Sequence, residues 1–146
     1  MDVHNHSNLT MTDTTKIDDR AEQLVLKLAE EGVFRIDTKL GEIWRIGVKN
    51  RGVIKPCEVR RAEYEANNGY LRIRVMVCSV RVRVSAHRVI YRAHYGSIPE
   101  GCIIDHGNRV RCDNRIVNLE AVTQSENVRR ALGLPPMEIP SDFIPF

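Results

Sequence analysis

The feature that most constrains this chain is an alternating run between residues 70 and 85. Leu71, Ile73, Val75 and Val77 sit at odd positions, Val80, Val82 and Val84 at even ones, and Arg72, Arg74, Arg81 and Arg83 lie between them. Strand side chains alternate faces with period two, so one continuous strand would split the two apolar sets between opposite faces. A hairpin turning at Cys78-Ser79 removes the conflict: 77 faces 80, 75 faces 82, and 73 faces 84. All seven apolar side chains then share one face and the four arginines share the other. Like charges opposite one another in a sheet are destabilising, so this second face points to an anionic partner such as a phosphate backbone. A bulged continuous strand is the alternative for the turn, because Cys-Ser is not a favoured turn pair. A solvated face with glutamate partners is the alternative for the arginines.

The rest of the chain fits around this hairpin as an α+β arrangement of antiparallel β-hairpins with helices. Residues 1–15 lack apolar periodicity and are expected to be a disordered tail, in which His4-Asn5-His6 is no metal site. Residues 16–32 form an N-terminal helix: Leu24, Val25 and Leu28 recur at helical spacing, Asp18, Asp19 and Glu22 suit its first turn, and Gly32 stops it. Residues 33–84 form a basic, β-rich DNA-binding region. In it Phe34 and Ile36 are separated from Ile43, Ile46 and Val48 by a turn-like Thr38-Lys39-Leu40-Gly41. Residues 49–69 are mixed and polar, punctuated by Gly52, Pro56 and a turn at Asn68-Gly69. Residues 86–95 read as a helix between Ser85 as N-cap and Gly96, with Ala86, Val89, Ile90 and Ala93 as its core stripe and His87, Arg88, Tyr91, Arg92 and Tyr95 on the other face.

Charge and composition narrow the function. The 146 residues are 42% apolar and 28% charged, the profile of one globular domain rather than a collagen, a mucin or a membrane span. The net charge of +3 conceals an uneven spread: −4 over 1–32, +9 over 33–132 and −2 over 133–146. A basic centre between acidic ends is the footprint of a polyanion-binding core. The polar, acidic start has no signal-peptide pattern, so the cytoplasm is the expected compartment. Cys57, Cys78, Cys102 and Cys112 contain no C-x-x-C pair. They are expected to be free, mostly buried thiols, with no structural zinc.

The chemistry is concentrated in residues 85–132. Ile103-Ile104-Asp105-His106 is a short strand ending in an acid and an imidazole. A polar loop with Gly107, Asn108, Asp113 and Asn114 follows, Ile116 to Val122 form a second strand, and Thr123 to Glu126 have capping-box form, so a helix starts near Gln124. This ββα unit lets Asp105, His106 and Asn127 converge. Taken singly, Asp105-His106 reads as exposed polarity, Asn114 and Asn118 as turn formers and Asn127 as an exposed helix residue.

At these residues the chain resembles the HNH endonucleases, the ββα-metal or His-Me finger proteins, and most of all the small phage and homing-type members. The matching residues are Asp105-His106, then Asp113-Asn114-Arg115-Ile116-Val117-Asn118-Leu119, then Glu126-Asn127, with looser likeness in Ala86-His87-Arg88-Val89-Ile90 and Gly69-Tyr70-Leu71-Arg72-Ile73. The position of the pattern's second histidine holds Asn127. The resemblance implies a metal-dependent DNA endonuclease that hydrolyses phosphodiesters by nicking or double-strand cutting. It implies His106 as general base, Asp105 and Asn127 as ligands of one Mg²⁺ or Mn²⁺, and Asn118 as the residue whose amide ties the loop so that His106 points correctly. Arg72, Arg74, Arg81, Arg83, Arg88, Arg109, Arg111, Arg115, Arg129 and Arg130 are the candidate phosphate contacts on double-stranded DNA. The alternative is a non-catalytic DNA-binding module of the same architecture, and an RNA-directed or packaging nuclease is a third reading. Residues 133–146 form a Pro-rich tail whose Met137, Ile139, Phe143, Ile144 and Phe146 suit docking or homodimerisation.

Overall fold

The computed structural model describes residues 11–135, with side chains from residue 18 onward. Helix α1 (Met11–Glu31) is followed by a three-stranded antiparallel sheet, β1 (Phe34–Asp37), β2 (Glu42–Asn50) and β3 (Val53–Arg61), in the order β1-β2-β3. A second such sheet has the order β4 (Tyr64–Glu65), β5 (Leu71–Val77) and β6 (Val80–Ser85). Helix α2 (Ala86–Tyr95) leads to the antiparallel pair β7 (Cys102–His106) and β8 (Leu119–Thr123), and α3 (Gln124–Ala131) closes the described chain. The fold is α+β with antiparallel sheets, as the sequence predicts. The expected tail over 1–15 and the expected docking tail lie mostly outside the described residues, but 11–15 are helical, so α1 begins earlier than its apolar spacing announced.

The central hairpin follows the sequence argument closely. Val77 pairs with Val80, Val75 with Val82 and Ile73 with Val84. Cys78 and Ser79 both adopt positive φ, 49° and 65°, the backbone of a tight turn whose twist matches the strands. Ile73, Val75 and Val84 are buried on its apolar face. They join one continuous core with Ala21 and Val25 of α1, Phe34 and Ile43 of the first sheet, Val89 and Ile90 of α2, and Ile104 and Leu119 of the β7–β8 pair. Burying each large side chain contributes roughly 1.5–3 kcal/mol, so α1, α2, both sheets and the β7–β8 pair share one core.

Polar contacts set the remaining geometry. Buried Glu22 on α1 accepts from Arg88 and Arg92 of α2, and Asp19 accepts from Arg92 at 2.6 Å, which locks the two helices together. Glu63 accepts the Ile43 backbone N–H at 2.6 Å, tying the link into β4 back onto the first sheet. In the turn between β1 and β2, Gly41 has φ +70° and lies so close to the backbone of Asn114 and Arg115 that a Cβ there would stand 2.3 Å from both. The Ile116 N–H also donates to Thr38 O at 2.9 Å. The first sheet's turn therefore braces the loop that follows β7.

Three expectations need correction. Ala93 is exposed, because α2 turns only its first two turns, with Ala86, Val89 and Ile90, toward the core. Ile116 to Asn118 form a single 3₁₀ turn rather than strand, and pairing begins only at Leu119. None of the four cysteines is buried: all are free, with Cys78 and Cys112 exposed at turns and Cys57 and Cys102 half-buried. No helix among the described residues is long and apolar enough to cross a membrane.

Candidate active site

The site begins at the end of β7. Alternation puts Ile104 and His106 on the buried face, 6% and 3% exposed, and turns Asp105 the other way. His106 Nε2 lies 2.8 Å from the Asn114 amide oxygen, and Asn114 is 1% exposed. An amide oxygen only accepts, so Nε2 is the donor of this pair. The sequence places Asn114 in the polar loop, and its partnership with the imidazole spans a loop that no local pattern reveals.

Asn118 organises that loop from behind. Its amide oxygen accepts the Asn108 N–H at 2.8 Å, its amide nitrogen donates to Asp113 O at 2.8 Å, and its backbone carbonyl accepts from Gly107 N. It touches the loop on both sides of Asn114 rather than the imidazole itself. Asp113 is held by Arg115 through two bonds at 2.8 Å and by the Asn108 amide, which keep its carboxyl well below the usual carboxylate range.

Across from the loop, α3 is fixed by its N-cap. Thr123 Oγ1 accepts the Glu126 N–H at 3.2 Å, as the capping-box pattern predicts, while the Glu126 carboxylate goes to Arg130. This places Asn127, half-buried, in the first turn. Asp105, His106 and Asn127 then line one pocket of about 260 Å³ together with Tyr70, Arg109 and Arg111. The Asp105 carboxylate lies 3.3 Å from Arg130 Nη1 and 3.9 Å from Arg109 Nη1. Arg111 lies over the Tyr70 ring, 5.1 Å from its centroid, and donates to Asn68 O at 2.7 Å, which fastens the loop to the turn before β5.

Behind the pocket three rings meet. His87 of α2 is 5.0 Å from His106 and 5.5 Å from Tyr70 between ring centroids, and Tyr70 is 5.7 Å from His106. Burial, followed by the neighbouring His106, Arg88 and Arg72, pushes the His87 imidazole down to about 3, so it is neutral beside His106. The helical pattern put His87 on a polar face. Tyr70, just before β5, and His106 pack on its ring from other parts of the chain.

The other arginines divide into two groups. Arg74, Arg81 and Arg83 are exposed on the central hairpin, Arg74 with its guanidinium 4.0 Å from the Tyr64 ring centroid, and Arg72 beside them is half-buried. Four others are already engaged: Arg88 by Glu22, Arg115 by Asp113, Arg129 by Pro135 O at 2.6 and 2.9 Å, and Arg130 by Glu120, Glu126 and Asp105.

As donors, the Asp105 carboxylate and the Asn127 amide oxygen are hard ligands that suit a small divalent cation with open positions for water and phosphate. Among the described residues no three His, Cys, Asp or Glu side chains cluster as a metal site, so this pair offers one carboxylate and one amide. Such a sparse set fits a cation of the Mg²⁺ type, which keeps waters and substrate oxygens in its shell.

Residues 84–129, running from the end of β6 through most of α3, match the family described as HNH endonuclease. That segment is similar to the HNH endonucleases, as the resemblance in the sequence implied. A solved structure described as "DNA binding and cleavage by the HNH homing endonuclease I-HmuI" is similar at 22% identity and a TM-score of 0.49, over 73% of this chain and 56% of that one. The chain thus spans little more than half the length of that neighbour. No curated protein matches.

Proposed function

We propose that this protein is a metal-dependent HNH endonuclease that hydrolyses phosphodiester bonds of double-stranded DNA. The observation that carries the reading is the single pocket holding Asp105, His106 and Asn127 inside the segment that matches the HNH family.

In this reading His106 Nδ1 accepts the proton of the attacking water, with Nε2–H held on Asn114 so that the ring keeps its tautomer and direction. Asn118 is a positioning residue that acts through the loop. Asp105 and Asn127 hold one divalent cation, Mg²⁺ or Mn²⁺, which when bound stabilises the charge growing on the phosphate and on the leaving oxygen. Arg109 and Arg111 line the same pocket and meet non-bridging phosphate oxygens. Arg72, Arg74, Arg81 and Arg83 follow the backbone further along the duplex. Arg115, Arg129 and Arg130 each hold an internal partner and keep further N–H donors for phosphate oxygens. The family resemblance sets it in the cytoplasm of a bacterium or phage-infected host cell.

A second reading, a DNA-binding module without catalysis, is favoured by one observation: Arg130 already neutralises Asp105 at 3.3 Å. Conversion of supercoiled plasmid separates the two. The nuclease reading predicts relaxed or linear product with Mg²⁺ or Mn²⁺, none with EDTA and none from His106→Ala. Retarded but uncut plasmid under every metal condition supports the binding module instead.

A further inference from the structure

A second pocket lies at the start of α2. It encloses about 120 Å³ and is lined by Arg72, Arg83, Arg88, Ser85, Asp18 and Glu22. A water occupies about 30 Å³ in the liquid, so the space is on the scale of one phosphate group rather than a nucleotide.

Four observations point to an anion. First, α2 is ten residues long, and its N-cap residue Ser85 makes no side-chain cap, so the N–H groups of its first turn are left without that acceptor. Second, the hairpin register sets Arg72 directly opposite Ser85 and Arg83 one step away opposite Arg74. Third, Arg72 Nε is buried without a hydrogen-bond partner, an arrangement that is costly for a charged group unless something fills it. Fourth, among the described residues neither Arg72 nor Arg83 has a carboxylate oxygen within 4 Å. The acids in the lining do not supply the missing charge. Glu22 is already shared by Arg88 and Arg92, and Asp18 stands exposed at the edge.

We infer that this pocket is a phosphate subsite, in which Arg72, Arg83, Ser85 and the first-turn N–H groups of α2 bind one backbone phosphate of the nucleic acid away from the scissile one. The inference rests on the nucleic-acid reading above and specifies how the duplex is gripped. His87 joins the two pockets: it lies in the first turn of α2, and its ring packs on His106. A phosphate held at the start of α2 therefore sets the register of the strand relative to the catalytic pocket. Asp18, at the edge of the pocket, opposes that phosphate as a like charge.

The test uses the full chain and inorganic phosphate as probe. Titration should move the backbone amide resonances of Ala86 and His87 to saturation, and the double variant Arg72→Gln with Arg83→Gln should lose the shift while keeping the rest of its spectrum. In EDTA, with a short duplex, the same double variant should flatten the dependence of log affinity on log salt by about 0.9, the loss of one neutralised phosphate. Asp18→Asn should bind the duplex more tightly. Unmoved Ala86 and His87 resonances, or an unchanged salt slope in the double variant, would overturn the inference. Binding in EDTA is independent of cutting: a protein that shows the subsite but never cleaves refutes the nuclease reading alone, and one that cleaves with an unchanged slope refutes the subsite alone.

Discussion

His106 donates from Nε2 to the amide oxygen of Asn114 at 2.8 Å, with both side chains almost fully buried. The bond fixes which nitrogen is free and which way it points, and it makes Asn114 the direct partner of the imidazole. Truncating a group that orients a reacting imidazole typically costs 10–100-fold in activity. Asn114→Ala is therefore expected to lower the single-turnover cleavage rate by about that factor with duplex affinity unchanged. Asn114→Asp, which keeps an acceptor, should retain more of the rate. Equal rates for wild type and Asn114→Ala would remove Asn114 from the mechanism.

Gly41 reaches the same loop from the first sheet. Its φ of +70° and the 2.3 Å separation of a Cβ from Asn114 and Arg115 backbone leave no room for a side chain. Gly41→Ala should destabilise the fold by more than the 1–3 kcal/mol that left-handed strain costs by itself. Gly52, at φ +80° with nothing within 4 Å of its Cβ, provides the comparison, and Gly52→Ala should show the strain alone. Thermal melting of both variants checks this, and equal losses would show that the close approach costs nothing.

The buried, neutral His87 sets an acid limit on stability. The unfolded chain protonates it near its ordinary value of about 6.5, the folded chain only at about 3. Between those values the unfolded state binds more protons, so stability falls as pH drops from about 6.5 toward 3. Two units into that window the loss is roughly 2–3 kcal/mol at 1.36 kcal/mol per unit. Replacement by His87→Phe should flatten this part of the curve in denaturant titrations at stepped pH. A variant with the wild-type slope would mean that another group carries it.

Glu22 is 2% exposed and holds two guanidiniums of α2. Removing one partner of a fully buried pair costs about 3–5 kcal/mol. Arg88 keeps 32% of its side chain exposed, so Glu22→Gln is expected to cost less, about 2–3 kcal/mol. Denaturant unfolding gives the number directly, and a change below about 0.5 kcal/mol, the range of ordinary surface substitutions, would show that the helices do not depend on this contact.

Where a residue's role is local, the sequence announces it. The parity switch at Cys78-Ser79 dictated the hairpin register to the residue, and Thr123 to Glu126 located the start of α3. Strand β3 escaped notice because it is an exposed edge strand, where polar side chains and Pro56 are tolerated and no apolar alternation is needed. In the site, Asp105, His106 and Asn127 were legible because strand end and helix start are both marked. Asn114, Tyr70 and His87 were not. Asn114 meets His106 only through the fold of the loop, and Tyr70 and His87 are brought to it by other elements. The arginines show the same limit: their number was visible, but not that Arg88, Arg115, Arg129 and Arg130 are engaged within the protein.

The central claim is that Asp105, His106 and Asn127 perform chemistry on DNA rather than merely bind it. The most direct measurement is the Mg²⁺-supported single-turnover cleavage rate of a duplex by Asp105→Asn, His106→Ala and Asn127→Ala, beside the dissociation constant of each for the same duplex in EDTA. The account predicts cleavage by wild type, loss of cleavage by at least about 100-fold in each variant, as expected when a general base or metal ligand is removed, and affinities close to wild type. Cleavage that survives His106→Ala, or a wild type that binds the duplex and never cuts it, would contradict the claim.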